Sequence, residues 1–124
     1  MDKPKLHLII VDDDADSRDL IRRVIVKVVP GARISEAGDG EQALSLFETA
    51  GADLMVVDHK LPRMSGTELI QELRARRAAI PLAMLSNHPG VREEAMKAGA
   101  TFFADKGALR SSFEYYLPAL LPSE

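Results

Sequence analysis

The sequence predicts an α/β domain, a doubly wound parallel sheet of five strands in the order 2-1-3-4-5. Three observations carry this expectation. Apolar runs of strand length alternate five times with segments of helical period. Pro and Gly punctuate the chain at intervals instead of clustering at one boundary, so no linker separates two domains. The first, third and fourth apolar runs are apolar throughout, as strands covered on both faces must be.

The first strand is Leu6 to Val11, stopped abruptly by an acidic block. Leu20, Ile21, Val24, Ile25 and Val28 then recur at helical spacing, in a helix beginning near Ser17, until Pro30-Gly31 ends it. Arg33 to Ala37 is a weaker strand, followed by Gly38-Asp39-Gly40 and a helix with Ala43, Leu44 and Phe47 on one face. Leu54 to Val57 is the third strand; a loop through Pro62 and Gly66 leads to a helix carrying Leu69, Ile70 and Leu73. Ile80 to Leu85 and Val91 to Ala98 form the fourth pair, Thr101 to Ala104 and Leu109 to Leu117 the fifth, with Pro118 ending or kinking the last helix. The second and fifth strands are more polar, which suits sheet edges, so the (βα)5 pattern reads as flavodoxin-like. The expectation is one domain over residues 1–124, with a core of about 5–117 and a short packing tail from 118 to 124.

Composition narrows function. The 124 residues hold 46% hydrophobic and 28% charged side chains, enough for a core that needs no disulfide or structural zinc. No cysteine means no thiolate metal site and no cysteine nucleophile. A net charge of −3 argues against nucleic-acid binding by clustered cations. The N-terminal apolar run is too short for a signal peptide or a membrane span, so a cytoplasmic location is expected.

Open α/β sheets place their functional crevice at the carboxyl ends of the strands. Here those ends carry Asp12-Asp13-Asp14, Asp58-His59-Lys60, Ser86-Asn87-His88 and Asp105-Lys106. In the predicted strand order Asp12, Asp13, Asp58 and Ser86 converge, with Lys106 closing the side. Clustered carboxylates repel unless something positive neutralises them, and lysine supplies one charge. The remainder points to a hard divalent cation, for which Mg²⁺ fits a site of few carboxylates and open positions. Mg²⁺, Lys106 and the Ser86 hydroxyl together suit a phosphoryl group in transfer, with Asp58 as nucleophile. Three carboxylates and one lysine there would also account for most of the net negative charge.

Each residue taken singly has a plainer structural reading. Asp14 and Asp16 are helix caps or turn residues, Ser86 a loop hydroxyl and Lys106 a solvated lysine. His59 and His88 lack metal-ligand spacing and read as exposed loop residues; Met55, Met64, Met84 and Met96 read as packing. Arg74, Arg76 and Arg77 sit where positive charge complements a helix C-terminus. Coincidence of four polar strand ends favours the site.

These motifs together resemble the receiver domain of two-component response regulators. The resemblance runs from Leu6 to about Leu117 and rests on Ile10-Val11-Asp12-Asp13-Asp14, Glu36 to Leu44, Val57-Asp58 through Met64-Ser65-Gly66, Leu85-Ser86, and Ala98-Gly99-Ala100 with Lys106. It implies that Asp58 accepts a phosphoryl group from a phosphohistidine of a sensor histidine kinase or phosphotransfer protein. It implies that Asp13, Asp58 and the Lys60 backbone carbonyl ligate Mg²⁺, with Asp12 acting through water, while Ser86 and Lys106 bind phosphoryl oxygens. Phe103 falls at the family's switch aromatic, so that Ser86 and Phe103 would together reshape a face built from the fourth helix, fifth strand and fifth helix. Lys60 and His88, two residues beyond Asp58 and Ser86, line the hydrolytic water's route and would set the lifetime of the phosphorylated state. Gly107 stands where the family often has proline and Asn87 where a small residue is usual.

The expectation is therefore a phosphoacceptor switch, not an enzyme, and a monomer or phosphorylation-dependent dimer. It would signal through a downstream protein or an output domain outside this chain, without contacting nucleic acid or membrane. Three rivals are weaker. A haloacid-dehalogenase-type phosphohydrolase would follow its first strand with Asp-x-Asp-x-Thr/Val, whereas Asp16 ends the run here and no cap domain fits. A phosphorylation-independent docking module would not need all five polar residues. A flavin or nucleotide binder would need a Gly-rich phosphate loop where this chain has carboxylates.

Overall fold

The computed structural model describes residues 6–121. Strands β1 (His7–Val11), β2 (Arg33–Ala37), β3 (Leu54–Asp58), β4 (Leu82–Ser86) and β5 (Phe102–Asp105) alternate with helices α1 (Ala15–Val28), α2 (Gly40–Ala50), α3 (Gly66–Ala75), α4 (Arg92–Ala98) and α5 (Leu109–Leu120). All pairings are parallel and the order is β2-β1-β3-β4-β5, a flavodoxin-like sheet. Every residue of β1, β3 and β4 is buried, while β2 exposes Arg33 and Glu36, as its edge position allows.

Period-two alternation survives inside the apolar strands and divides the core. Ile9, Val11, Met55, Val57 and Met84 pack with Leu69, Ile70 and Leu73 of α3 and Ala43 of α2. Leu8, Ile10, Val56 and Leu85 point the other way, against Ile21 and Ile25 of α1 and Phe113 and Leu117 of α5. Each large apolar side chain so enclosed contributes roughly 1.5–3 kcal/mol of burial.

Element boundaries shift where local chemistry decides them. The first helix begins at Ala15, not near Ser17, because the Asp14 carboxylate accepts the Asp16 amide and caps it; Asp16 lies in the first turn and is no cap. The fourth strand starts at Leu82 because Pro81 has no amide to donate to a ladder. A 3-10 turn at Pro89–Val91 delays α4 to Arg92, and a second turn at Lys106–Ala108 precedes α5. Pro118 does not end the last helix, which runs on to Leu120 with Leu117 anchored in the core. Leu120 and Leu121 pack against that core; residues 1–5 and 122–124 lie outside the described residues.

Two further readings change. Arg74 is not simply a charge at a helix end: its half-buried guanidinium donates to the carbonyls of Gly99 (2.9 Å), Ala78 (2.8 Å) and Ile80 (2.8 Å), tying α3 to the end of α4. Gly99, at φ 117°, is required there, since a Cβ would lie 2.6 Å from Arg74 Cγ. Met96 is exposed, unlike fully buried Met55 and Met84. No helix among the described residues is long and apolar enough to cross a membrane.

Candidate functional site

The parallel arrangement puts the ends of β1, β3, β4 and β5 at one edge. Asp12 follows β1 directly, 1% exposed, with its amide on the Ala37 carbonyl (3.0 Å). Its own carbonyl accepts from Arg18 Nη1 (2.6 Å), and Arg18 is held in turn by Glu36, which also binds Arg22. Asp58 is the last residue of β3 and is 7% exposed. Gly66 makes that position possible: a Cβ there would sit 2.3 Å from the Asp58 carbonyl oxygen, so only glycine lets α3 start against the strand end.

Lys106 joins the two acids. Its Nζ lies 2.7 Å from Asp58 Oδ1 and 3.2 Å from Asp12 Oδ2. Asp13 is exposed beside them, and Asp12, Asp13 and Asp58 each offer an oxygen within 4.8 Å of the others. Ser86, 3% exposed at the end of β4, accepts the His88 amide on Oγ (2.9 Å). Asp58, Lys60, Ser86, Asn87, His88 and Lys106 line one cavity of about 120 Å³. A second cavity, of about 570 Å³ beside Glu93, Glu94 and Lys97, includes none of these residues in its lining.

Electrostatically the site is short of positive charge. Burial pushes the Asp58 carboxyl above its ordinary value; the Lys106 hydrogen bond opposes this, and the charges of Asp12 and Asp13 add to it. Burial pulls Lys106 down, but its bond to Asp58 and the charges of Asp58 and Asp12 prevail and raise it. A hard cation among these oxygens would relieve the imbalance, and an all-oxygen donor set without thiolate fits Mg²⁺.

The structure thus brings together Asp12, Asp13, Asp58, Ser86 and Lys106, with Lys60 and His88 in the lining of the same cavity as Asp58, Ser86 and Lys106. Phe103 stands apart: it is half-buried on β5, paired in register with Met84 and packed on the core beneath the site. His59 departs from its reading as an exposed loop residue, since it is half-buried and its Nδ1 has no partner among the described residues. Sequence reasoning missed Ser17, whose hydroxyl donates to Asp12 Oδ2 at 2.5 Å; its place in the first turn after the acidic loop was the available signal.

The response regulator receiver domain family matches residues 8–113. The chain belongs to that family. Receiver domains act by Mg²⁺-dependent phosphotransfer and bind the ion at an acidic pocket, and this chain has an acidic group able to hold one. It is 32% identical over 105 residues to the cyclic di-GMP phosphodiesterase response regulator RpfG of Xanthomonas campestris, spanning 82% of this receiver but 28% of that protein. It is 34% identical over 113 residues to an uncharacterized 14.6 kDa protein of Leptolyngbya boryana, spanning 91% of this chain and 78% of the other. Chemotaxis protein CheY4 of Vibrio cholerae shares the fold with a TM-score of 0.82 at 24% identity, over 95% of this receiver and 100% of that chain. The chain thus spans about a quarter of two curated relatives it matches, 28% of one and 22% of the other.

Proposed function

We propose that Asp58 is the phosphoacceptor of a receiver that fills residues 1–124 and works in the cytoplasm as a switch, without catalysing turnover. The observation that carries this reading is the Lys106 ammonium bridging buried Asp58 and Asp12, with Asp13 and Ser86 at the same strand ends. An Asp58 oxygen bonds to phosphorus while the P–N bond to a kinase or phosphotransfer-protein histidine breaks and its electron pair leaves with the imidazole. Lys106 and the Ser86 hydroxyl receive the phosphoryl oxygens. Asp13, Asp58 and the Lys60 carbonyl would hold Mg²⁺ directly and Asp12 would hold it through water, supplying positive charge where negative charge gathers on the transferring oxygens.

Movement of Ser86 toward the phosphoryl group, followed by inward rotation of Phe103, reshapes the α4–β5–α5 face for a downstream protein or output domain. Lys60 and His88 flank the water's approach and set how long the acyl phosphate lasts; unchanged dephosphorylation in both Lys60→Ala and His88→Ala would remove them from that role. The primary test is incubation with Mg²⁺ and a small phosphodonor. Mass spectrometry should show one base-labile phosphoryl adduct that is absent in Asp58→Asn. No adduct would return the chain to a docking module, and steady hydrolysis of phosphate esters would favour a phosphohydrolase.

A further inference from the structure

We infer that Ser17 is a positioning residue that decides which oxygen of Asp12 faces the metal site. The inference rests on the reading of Asp12, Asp13 and Asp58 as the metal-holding group. A carboxylate has about four lone-pair positions, two on each oxygen. Asp12 Oδ2 accepts from Ser17 Oγ at 2.5 Å and from Lys106 Nζ at 3.2 Å, which fills it. Among the described residues Oδ1 accepts only the Asp14 amide, at 2.9 Å, leaving one position for the ion or its water. Ser17 must be the donor, because an ionised carboxylate can only accept. Asp12 is only 1% exposed, so its oxygens depend on these few donors rather than on bulk water.

The arrangement matters most when Lys106 is drawn to a phosphoryl group. Asp12 then loses one of its two side-chain donors, and Ser17 keeps Oδ2 satisfied so that the carboxylate does not turn. Without the hydroxyl, Lys106 would be the sole side-chain donor to Asp12 and would be held back from Asp58. Ser17 touches neither the ion nor the phosphoryl group and acts through Asp12, as outer partners of metal ligands commonly do.

The test compares wild type, Ser17→Ala, Ser17→Thr and Asp13→Asn by calorimetric titration of the metal-free proteins with Mg²⁺. A second measurement follows the phosphorylation rate with acetyl phosphate at saturating Mg²⁺. Ser17→Ala, which favours the helix and so preserves the fold, should weaken Mg²⁺ binding about tenfold and stay slow to phosphorylate. Ser17→Thr, which keeps the hydroxyl, should restore affinity to within about twofold. Wild-type affinity in Ser17→Ala, or equal losses in the alanine and threonine variants, would overturn the inference. If Asp13→Asn loses Mg²⁺ while Ser17→Ala does not, the metal site stands and Ser17 alone is excluded. If Asp13→Asn binds like wild type, the metal reading and the Ser17 inference fall together.

Discussion

The first three helices and the last two begin differently. Asp14, Asp39 and Ser65 each cap a helix with a side-chain oxygen, and Ser65 forms a reciprocal capping box with Glu68. Neither α4 nor α5 has a side-chain cap; each follows a 3-10 turn, and in that half only Asp105 caps a turn, on the Gly107 amide. A cap is worth about 1 kcal/mol, so the starts of α4 and α5 are cheaper to rearrange. The division coincides with the site. Asp12 directly follows β1 and Asp58 ends β3, and both strands feed capped helices, while Ser86 and Lys106 lead into the uncapped ones. A receiver needs a fixed place to receive charge and a neighbouring element with two arrangements of similar energy, and the helix starts divide along that line.

The fixed half should be the easier to break. Gly66→Ala puts a Cβ 2.3 Å from the Asp58 carbonyl, so the end of β3 or the start of α3 must shift. We expect a loss of about 3 kcal/mol in denaturant unfolding and slower phosphorylation in the same variant. Wild-type stability with wild-type phosphorylation would show that the strand end tolerates movement and would erase the contrast.

Arg74 sharpens the comparison from the other side. It fixes the C-terminal end of α4 through Gly99 while the N-terminal end stays uncapped, so the helix is tethered at one end. Arg74→Ala leaves three carbonyls without their donor and should cost about 2 kcal/mol. Exposed Arg76, paired with Glu72 and Glu48, should cost clearly less than Arg74 when replaced by alanine. Equal effects by thermal unfolding would reduce the tether to one more surface contact. Ser65→Ala, which breaks the box on α3, should cost about 1 kcal/mol, whereas Ser111→Ala near the uncapped start of α5 should cost less than about 0.5 kcal/mol.

These contrasts also separate what was legible in the sequence. The strand order could be read because covered strands are apolar on both faces, as in Leu8 to Val11 and Leu54 to Val57, and an edge such as Arg33 to Ala37 is not. Convergence of Asp12, Asp13, Asp58, Ser86 and Lys106 follows from that order alone, since parallel strands finish at one edge. The start of α1 was misplaced because Asp14 and Asp16 are equally good caps in sequence, and only backbone geometry chooses between them. Arg74 was illegible for a different reason. Its partners at 78, 80 and 99 include a glycine brought near only by tertiary packing, and a basic residue late in a helix already has a sufficient local explanation.

The smallest expected effect concerns the charge that the fixed half holds. Burial raises the Asp58 carboxyl, so folding favours its protonated form and the ionised form is less stable folded than unfolded. The stability this group contributes is therefore complete below the ordinary value of 3.8 and is lost as pH rises through the raised folded value. Asp58→Asn does not titrate and can still accept from Lys106. In chelator the variant should melt above wild type at neutral pH, with the difference shrinking as pH falls and vanishing below the ordinary value. Saturating Mg²⁺ should reverse the order, because the ion stabilises the protein that binds it by mass action. A metal-free variant that melts below wild type at neutral pH would mean that the Lys106 bridge outweighs burial and that Asp58 and Lys106 form a net stabilising ion pair. The opposite result identifies Asp58 as a strained charge held ready on the rigid side of the molecule, relieved either by a cation or by protonation.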